Sequence, residues 1–225
     1  MKDLAMLDIL STTDWKRPIY MSMTALVGFE VDLTPYAVRE GNTYRILPVR
    51  NPDPERYLVN TRAAYHHIVH DFRFRGLEES GIYYSEDYRR AVQNHRNTIN
   101  EVAEALIEEN NPADAKKLLL FGLDKMPDAV IRYDVTQLDT IRLLFQVGER
   151  TEANEISDTL GGRAVELAAY YSRSAPSGND FMLQLFMLRE LSRIHYFYGD
   201  SERGKRFGEG FSEYSGALTS PRRNM

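Results

Sequence analysis

Apolar positions recur at helical spacing most regularly between Arg96 and Pro127. Ile99, Val102, Ala103 and Leu106 fall at i, i+3, i+4 and i+7. After an Asn110-Asn111-Pro112 break, Ala115, Leu118, Leu119 and Gly122 repeat the spacing. Two helices are predicted, closed by Pro127. They should pack as a hairpin, because Ala103, Ala115 and Gly122 are small enough to let two backbones approach.

Upstream the pattern is shorter in range. Leu4, Leu7, Ile9 and Leu10 predict an apolar side for a short helix over Asp3–Ser11, ended by Thr12-Thr13-Asp14. Ile19–Met23 reads as a strand. Pro18 has no N–H to donate, so the strand starts there or lies on an edge. The Gly/Pro-punctuated stretch from Ala25 to Asn42 predicts irregular chain with one helical turn, and Thr43–Val49 a second strand. Two strands make a small antiparallel sheet that needs helices to cover it. Asn51–Arg56 is expected as a loop. A helix over 60–71 follows, with Asn60 or Thr61 as N-cap, then a connector over 72–81 and a long helix from Ser85 to Glu109.

The hairpin pattern recurs beyond Pro127. Asn110 and Gly148, 38 positions apart, each end a helix, and Ala115 and Ala153 each follow five residues later. The tetratricopeptide period is about 34 residues, and the extra length falls in the linker Asp128–Asp134. Helices over 134–147 and 151–172 form the second hairpin. A loop spans 172–180, and a helix over 181–198 stops at Gly199-Asp200. The last helix, 201–218, is weakened by Gly204, Gly208, Gly210 and Gly216. The expected fold is mainly α. A tetratricopeptide-like helical hairpin array (57–219) follows a small N-terminal α/β cap with two short strands (1–56), and a frayed tail covers 220–225.

Composition narrows the function classes. At 225 residues, with 43% hydrophobic and 27% charged positions, the chain has the makings of an ordinary core. A net charge of -5 argues against a nucleic-acid partner, which would call for a basic face. No apolar run approaches the roughly 20 residues of a membrane span. Lys2, Asp3 and Asp8 make the N-terminal segment too polar for a secretory leader. The chain is therefore expected to be cytoplasmic or a piece of a longer protein. The absence of cysteine excludes disulfides and thiolate metal sites.

Candidate chemistry is sparse. His66, His67 and His70 form the one group with metal-like spacing, and His66 and His70 share a helix face with Asp71 alongside. The metalloprotease pattern needs a Glu between its histidines, and Ile68-Val69 fills that gap. Surface or structural histidines are the preferred reading, and no metal or cofactor is assigned. Glu104, Glu108, Glu109, Lys116 and Lys117 read as a solvated helix face. Gly161-Gly162 lacks the setting of a phosphate loop, and no nucleophile elbow is present. Tyr170-Tyr171 and Tyr196-Phe197-Tyr198 are expected as rings between hairpins rather than the lining of a groove, although the concave side of such an array is its usual binding surface. Trp15-Lys16-Arg17-Pro18 is expected to anchor the cap on the helices, with Arg17 paired or stacked. The other reading of that segment is a membrane-interface position.

The stretch LDILSTTDWKRPIYMSMT, with Trp15, Lys16, Arg17, Pro18 and Tyr20, resembles the segment after the last membrane span in a family of large multispanning proteins of Bacteroidetes-type bacteria. That family of unknown function is grouped with protein O-mannosyltransferase-like membrane glycosyltransferases. The family's downstream run is similar to Leu33, Tyr36, Glu40, Gly41, Tyr44, Arg45, Leu47 and Pro48 here. The helical part with Arg90, Arg96 and the AEALIEEN segment is similar as well. Asp14 and Met21 stand where the family has Asn and Phe. The resemblance covers about the first half of the chain. It implies a full-length protein that uses a lipid-linked sugar and carries its catalytic residue near the membrane spans. None of that catalytic machinery maps onto this sequence.

The expected role is thus a non-catalytic, extracytoplasmic scaffold or protein-binding domain of a membrane glycosyltransferase-like protein. It would lie on the periplasmic side of the inner membrane, attached to membrane spans, with a protein or peptide partner and no nucleic acid. Two alternatives stay open: an autonomous cytoplasmic peptide-binding adaptor, and a metal-dependent enzyme centred on His66, His67 and His70. The expected structural residues are the motif positions above and, in the repeat, Ala103, Leu106, Ala115, Leu119, Gly122, Pro127, Gly148 and Ala153.

Overall fold

The computed structural model describes residues 2–53, 58–174 and 178–216. The chain divides into two compact units, Met1–Met126 and Pro127–Met225. The expected cap boundary at residue 56, part of the Asn51–Arg56 loop, the middle of the 172–180 loop and the tail 220–225 lie outside the described residues.

The first unit opens with α1 (Lys2–Thr12), β1 (Ile19–Ser22) and a single turn α2 (Met23–Leu26). A 3-10 turn at Thr34–Tyr36 leads into β2 (Ala37–Arg39), β3 (Thr43–Ile46) and β4 (Leu58–Val59). Then come α3 (Thr61–His66), a π turn (His67–Asp71), α4 (Glu86–Glu108) and α5 (Pro112–Lys125). The strands form one sheet in the order β1-β3-β2-β4, antiparallel except for the parallel β2–β4 pair. The sheet therefore has four strands where two were expected, and it is mixed rather than antiparallel. β2 lies in the stretch expected to be irregular. β3 ends at Ile46, short of Val49, because Pro48 cannot extend the ladder.

The register sorts side chains by face. Ile19 and Ala37 lie opposite Ile46, and Met21 and Arg39 opposite Tyr44. These residues share one face. Met21, Ala37, Tyr44 and Ile46 build a core there with Leu26 and Leu33. From α1, Met6 and Leu10 pack on this core, whereas Leu4, Leu7 and Ile9 are exposed. The apolar side expected for α1 is corrected in this respect. Asp3 Oδ1 accepts the N–H groups of Glu30 and Val31, at 2.8 and 3.4 Å. Asp3, Met6 and Leu10 are spaced i, i+3, i+7, so that anchor turns Leu4 and Leu7 outward.

α4 buries Ile99, Val102, Ala103 and Leu106, and α5 buries Ala115, Leu118, Leu119 and Gly122. A Cβ at Gly122 would stand 2.8 Å from Ile99 Cδ1, so the close approach of the two helices depends on glycine. Arg96, buried within α4, donates to the Met126 carbonyl at 3.2 Å, placing a cation at the negative end of α5.

The second unit contains α6 (Gln137–Gln146), α7 (Arg150–Ser174), α8 (Asn179–Phe197) and α9 (Ser201–Ser215), packed as consecutive antiparallel neighbours with α7 also touching α9. The linker before α6 is held by Asp128. Its carboxylate takes both terminal nitrogens of Arg163, at 3.0 and 2.8 Å, and the Tyr133 N–H at 2.6 Å. Asp158 of α7 pairs with Arg203 and Arg206 of α9. Burial would raise the Asp158 pKa, but those two guanidinium groups outweigh it and the carboxyl stays below its usual range.

Three turns have the same construction. Asn110, Gly148 and Gly199 adopt φ of 62°, 87° and 82°. The next residue in each case, Asn111, Glu149 or Asp200, donates its N–H to the carbonyl five positions back, at 2.8 Å every time. These are Schellman closures, in which a left-handed residue lets the helix end satisfy its last carbonyls. Ala115, Ala153 and Gly204 follow five residues later, all buried.

Glycines expected to weaken α9 instead make its contacts. A Cβ on Gly204 would stand 2.9 Å from the Tyr196 ring, and one on Gly210 would stand 3.2 Å from Val165 Cγ2. The helix runs unbroken to Ser215.

Candidate functional site

The motif residues of the first unit converge around Glu40. β1 and β3 place Tyr20 opposite Arg45 on the face turned away from the core. Glu40, the residue after β2, points to the same face. Glu40 Oε2 accepts from the Tyr20 hydroxyl at 2.6 Å, Oε1 accepts from Asn60 Nδ2 at 2.8 Å, and Arg45 Nη1 lies 3.7 Å from Oε1. The bond to Glu40 raises the Tyr20 pKa, because a phenolate would face a carboxylate. Glu40 is only 6% exposed, so both of its oxygens are committed to holding β1, β3 and the α3 N-cap together. Asn60 is that cap, accepting the Ala63 N–H at 3.2 Å.

Gly41 and Asn42 are the two central residues of the turn that joins β2 to β3 and is closed by Glu40 and Thr43. The Glu40 N–H donates to the Thr43 carbonyl at 2.9 Å, and Gly41 takes φ +84°. This is the glycine-first pattern of a tight hairpin. A Cβ on Gly41 would also stand 3.0 Å from Phe72 Cζ. Asn42 Nδ2 donates to His95 Nδ1 at 2.6 Å, and burial holds His95 below the ordinary histidine pKa.

Arg39 forms a second cluster on the core face. Its Nη1 donates to Thr98 Oγ1 at 2.9 Å and to the Gly41 carbonyl at 3.3 Å, and Nη2 donates to the Tyr44 hydroxyl. Its guanidinium carbon lies 4.6 Å above the Tyr44 ring. Nε is 2.7 Å from Glu101 Oε2, close enough for an ion pair but not aligned as a hydrogen bond. Arg39 thus ties β2 to α4 through a buried charge. Glu40, Arg39 and Tyr44 are buried at the centres of these two clusters, while Tyr20, Arg45 and Glu101 reach them from partly exposed positions.

Trp15, Lys16, Arg17 and Pro18 do not join either cluster. All four are exposed, and the expected anchoring of the cap through Trp15 and a paired Arg17 is not what the structure shows. Lys16 pairs with its neighbour Asp14 at 3.1 Å. Asp14 and Trp15 take φ of 47° and 56°, so the elbow between α1 and β1 consists of two consecutive left-handed residues. Pro48 is exposed just past β3.

The histidines lie where α3 widens into the π turn. Asp71 Oδ2 stands 2.6 Å from His67 Nδ1 and 3.3 Å from His66 Nδ1. The His66 and His70 rings are 5.1 Å apart. The hydrogen bond from His67 is the main cause of the lowered Asp71 pKa. Among the described residues, His66, His67 and Asp71 each present one ligand atom within 4.8 Å of the other two.

In the second unit, Tyr198 stacks on Phe145 at 4.7 Å, as expected for a ring between helices. Tyr170, Tyr196 and Phe197 are exposed, Phe197 by 81%, contrary to the expectation of buried rings. A further apolar surface lies along α8. Met182, Leu183 and Phe186 are exposed and, with Asn179, Arg189 and Phe211, line an open hollow of about 520 Å³. That volume accommodates a few side chains. Arg189 lies over the Phe186 ring at 5.5 Å.

Residues 1–63 match a family model described as TMEM260-associated domain 2. No curated protein and no solved structure matches the chain. The matched segment runs from α1 into α3. It contains the whole sheet, the Trp15–Tyr20 stretch and the Glu40–Pro48 run, so this part of the chain is similar to a TMEM260-like family. No helix among the described residues is long and apolar enough to cross a membrane.

Arg39, Asn42, Thr98 and Glu101 carry much of the cap geometry and were not singled out in the sequence. The dipeptide Gly41-Asn42 between two β-branched or aromatic stretches was a readable hairpin signal. Nothing local pointed to Thr98 or Glu101, which lie on a helix more than 50 residues away from Arg39.

Proposed function

We propose that the chain is a non-catalytic scaffold or protein-binding domain of a membrane glycosyltransferase-like protein. In this reading it works on the extracytoplasmic side of the membrane. The sheet unit forms the part shared with the family, and the hairpins act as a tetratricopeptide-like array that holds a protein or peptide. The similarity of residues 1–63 to a TMEM260-associated domain supports the first half of the reading. The observation that carries the second half is the hollow on α8, where Met182, Leu183 and Phe186 face outward beside Arg189. Apolar side chains rimmed by a cation suit an amphipathic peptide segment. The three Schellman-closed hairpins support a repeat architecture. The buried carboxylate of Glu40, already engaged by Tyr20, Asn60 and Arg45, fits a structural role better than a catalytic one.

The test is site-specific photocrosslinking in the native host. A photoreactive residue at position 186 should yield a discrete protein adduct, and one at the exposed position 162 should not. The adduct at 186 should disappear when Arg189→Glu is added. Equal adducts at 186 and 162, or none at 186, would refute the binding role.

A further inference from the structure

We propose that the π turn His67–Asp71 is a divalent transition-metal site held by His66, His67 and Asp71, with zinc as the expected occupant.

Helical register decides which of these side chains meet. In an α-helix His67 meets Asp71 at i, i+4, while His66 and Asp71, five apart, diverge around the axis. In a π turn the hydrogen bond reaches i+5. Here the Phe72 N–H donates to the His67 carbonyl at 2.9 Å, the bond that widens this turn. The extra residue brings Asp71 beneath both histidines at once. Ile68, 1% exposed, pins the inner side of the turn while His66, His70 and Asp71 face out. π turns recur at functional sites because they aim side chains in this way.

Chemistry and spacing agree. Two imidazoles and one carboxylate form a borderline donor set that suits zinc better than calcium or magnesium. Bonds of about 2.0–2.1 Å place the ligand atoms of a tetrahedral zinc roughly 3.3 Å apart. His66 Nδ1 and Asp71 Oδ2 already stand at 3.3 Å, and His67 Nδ1, at 2.6 Å, has to open by less than 1 Å. The His67–Asp71 contact is a hydrogen bond that the metal would replace, with the proton of the neutral ring carried on Nε2 instead of Nδ1. The side chains of His66, His67 and Asp71 are the ones whose ligand atoms converge among the described residues, and water would fill the remaining position.

The site would act on the fold rather than on a substrate. Phe72, directly after Asp71, packs against Gly41 at the β2–β3 loop and lies 6.2 Å from the His95 ring. A metal across the turn would fix where Phe72 enters. This inference is independent of the scaffold reading above.

The experiment uses the full chain without a polyhistidine tag. Cobalt(II) titration should give a saturable 1:1 visible band of tetrahedral intensity, which zinc displaces. Zinc should raise the melting temperature and slow exchange of the Phe72 amide at least tenfold. His67→Ala and Asp71→Asn should each weaken binding at least tenfold. Both positions are partly exposed, and circular dichroism checks that the variants are folded. Absence of saturable binding below about 100 µM, or unchanged affinity in both folded variants, would overturn the assignment.

Discussion

Gly161 and Gly162 sit side by side in the middle of α7, and alanine at the two positions is expected to act in opposite directions. Intrinsic helix propensity treats them alike, favouring alanine by about 0.8–1 kcal/mol. Their surroundings differ. A Cβ on Gly162 meets nothing within 4 Å, whereas one on Gly161 would stand 2.2 Å from Phe207 Cε1 and 2.9 Å from Cδ1 and Cζ. An ordinary contact needs at least about 3.4 Å, so the Phe207 ring has to retreat by more than 1 Å. It has little room, being 2% exposed with the His195 ring 5.5 Å away. Overpacking of this kind costs about 1–3 kcal/mol, and the clash is severe enough to place it at the upper end. Net of the propensity gain, Gly161→Ala should destabilise by about 2 kcal/mol, while Gly162→Ala should stabilise by about 0.5–1 kcal/mol. With a urea m-value of about 2 kcal/mol/M, the midpoints should move by roughly 1 M down and 0.3–0.5 M up. The assay is urea unfolding followed by far-ultraviolet circular dichroism, since the second unit contains no tryptophan. Shifts of the same sign at both positions would refute the packing of Phe207 on Gly161.

Two further predictions concern buried polar groups. Glu40→Ala leaves the Tyr20 hydroxyl and the Asn60 amide without their acceptor and should cost about 2–4 kcal/mol, with Glu40→Gln costing less because one acceptor oxygen remains. Unfolding followed by the fluorescence of Trp15, the single tryptophan, reports this on the first unit. His195 is fully buried, neither ring nitrogen has a hydrogen-bond partner among the described residues, and burial lowers its pKa, with Asp200 and Asp158 opposing and Arg203 and Arg206 assisting. As pH falls below about 6.5 the unfolded chain takes up the proton first. Stability contributed by the neutral ring is therefore complete above that pH and declines below it until the folded pKa is reached, by no more than about 1.4 kcal/mol per pH unit. Denaturant midpoints at pH 7.5 and 5.5 should show wild type losing more stability than His195→Leu, and equal losses would contradict the assignment.

The long helices were readable because their apolar residues repeat at helical spacing over three or more turns, as Ile99 to Leu106 do. The sheet was only half readable. β4 is two residues long, and its existence depends on β2, 20 positions earlier, which no local pattern reveals. The rotation of α1 was misread because counting apolar residues cannot register that the Asp3 carboxylate is tied to Glu30 and Val31. The glycines of α9 were read as weakness since their value lies in rings supplied by other helices. For the candidate sites the same division holds. Glu40, Tyr20 and Arg45 stood out as motif positions. The metal-like group shifted from a His66–His70 pair to His66, His67 and Asp71, because a π turn leaves no mark in the residue pattern.

The elbow at Asp14 and Trp15 bears on how the first unit comes apart. Two left-handed non-glycine residues in a row cost about 1–2 kcal/mol each, so the chain is under tension where α1 joins β1. Beyond the elbow, the Lys16–Arg17 bond is exposed to a trypsin-like protease, whereas Arg17–Pro18 resists cleavage because of the proline. Among the described residues α1 is held by Met6 and Leu10 and by the exposed Asp3 contacts to Glu30 and Val31, while the sheet keeps its ladder, its Glu40 network and its Arg39 bond to α4 without it. A single cut at Lys16 would therefore free α1 like a latch lifted from a closed box, with the walls left standing.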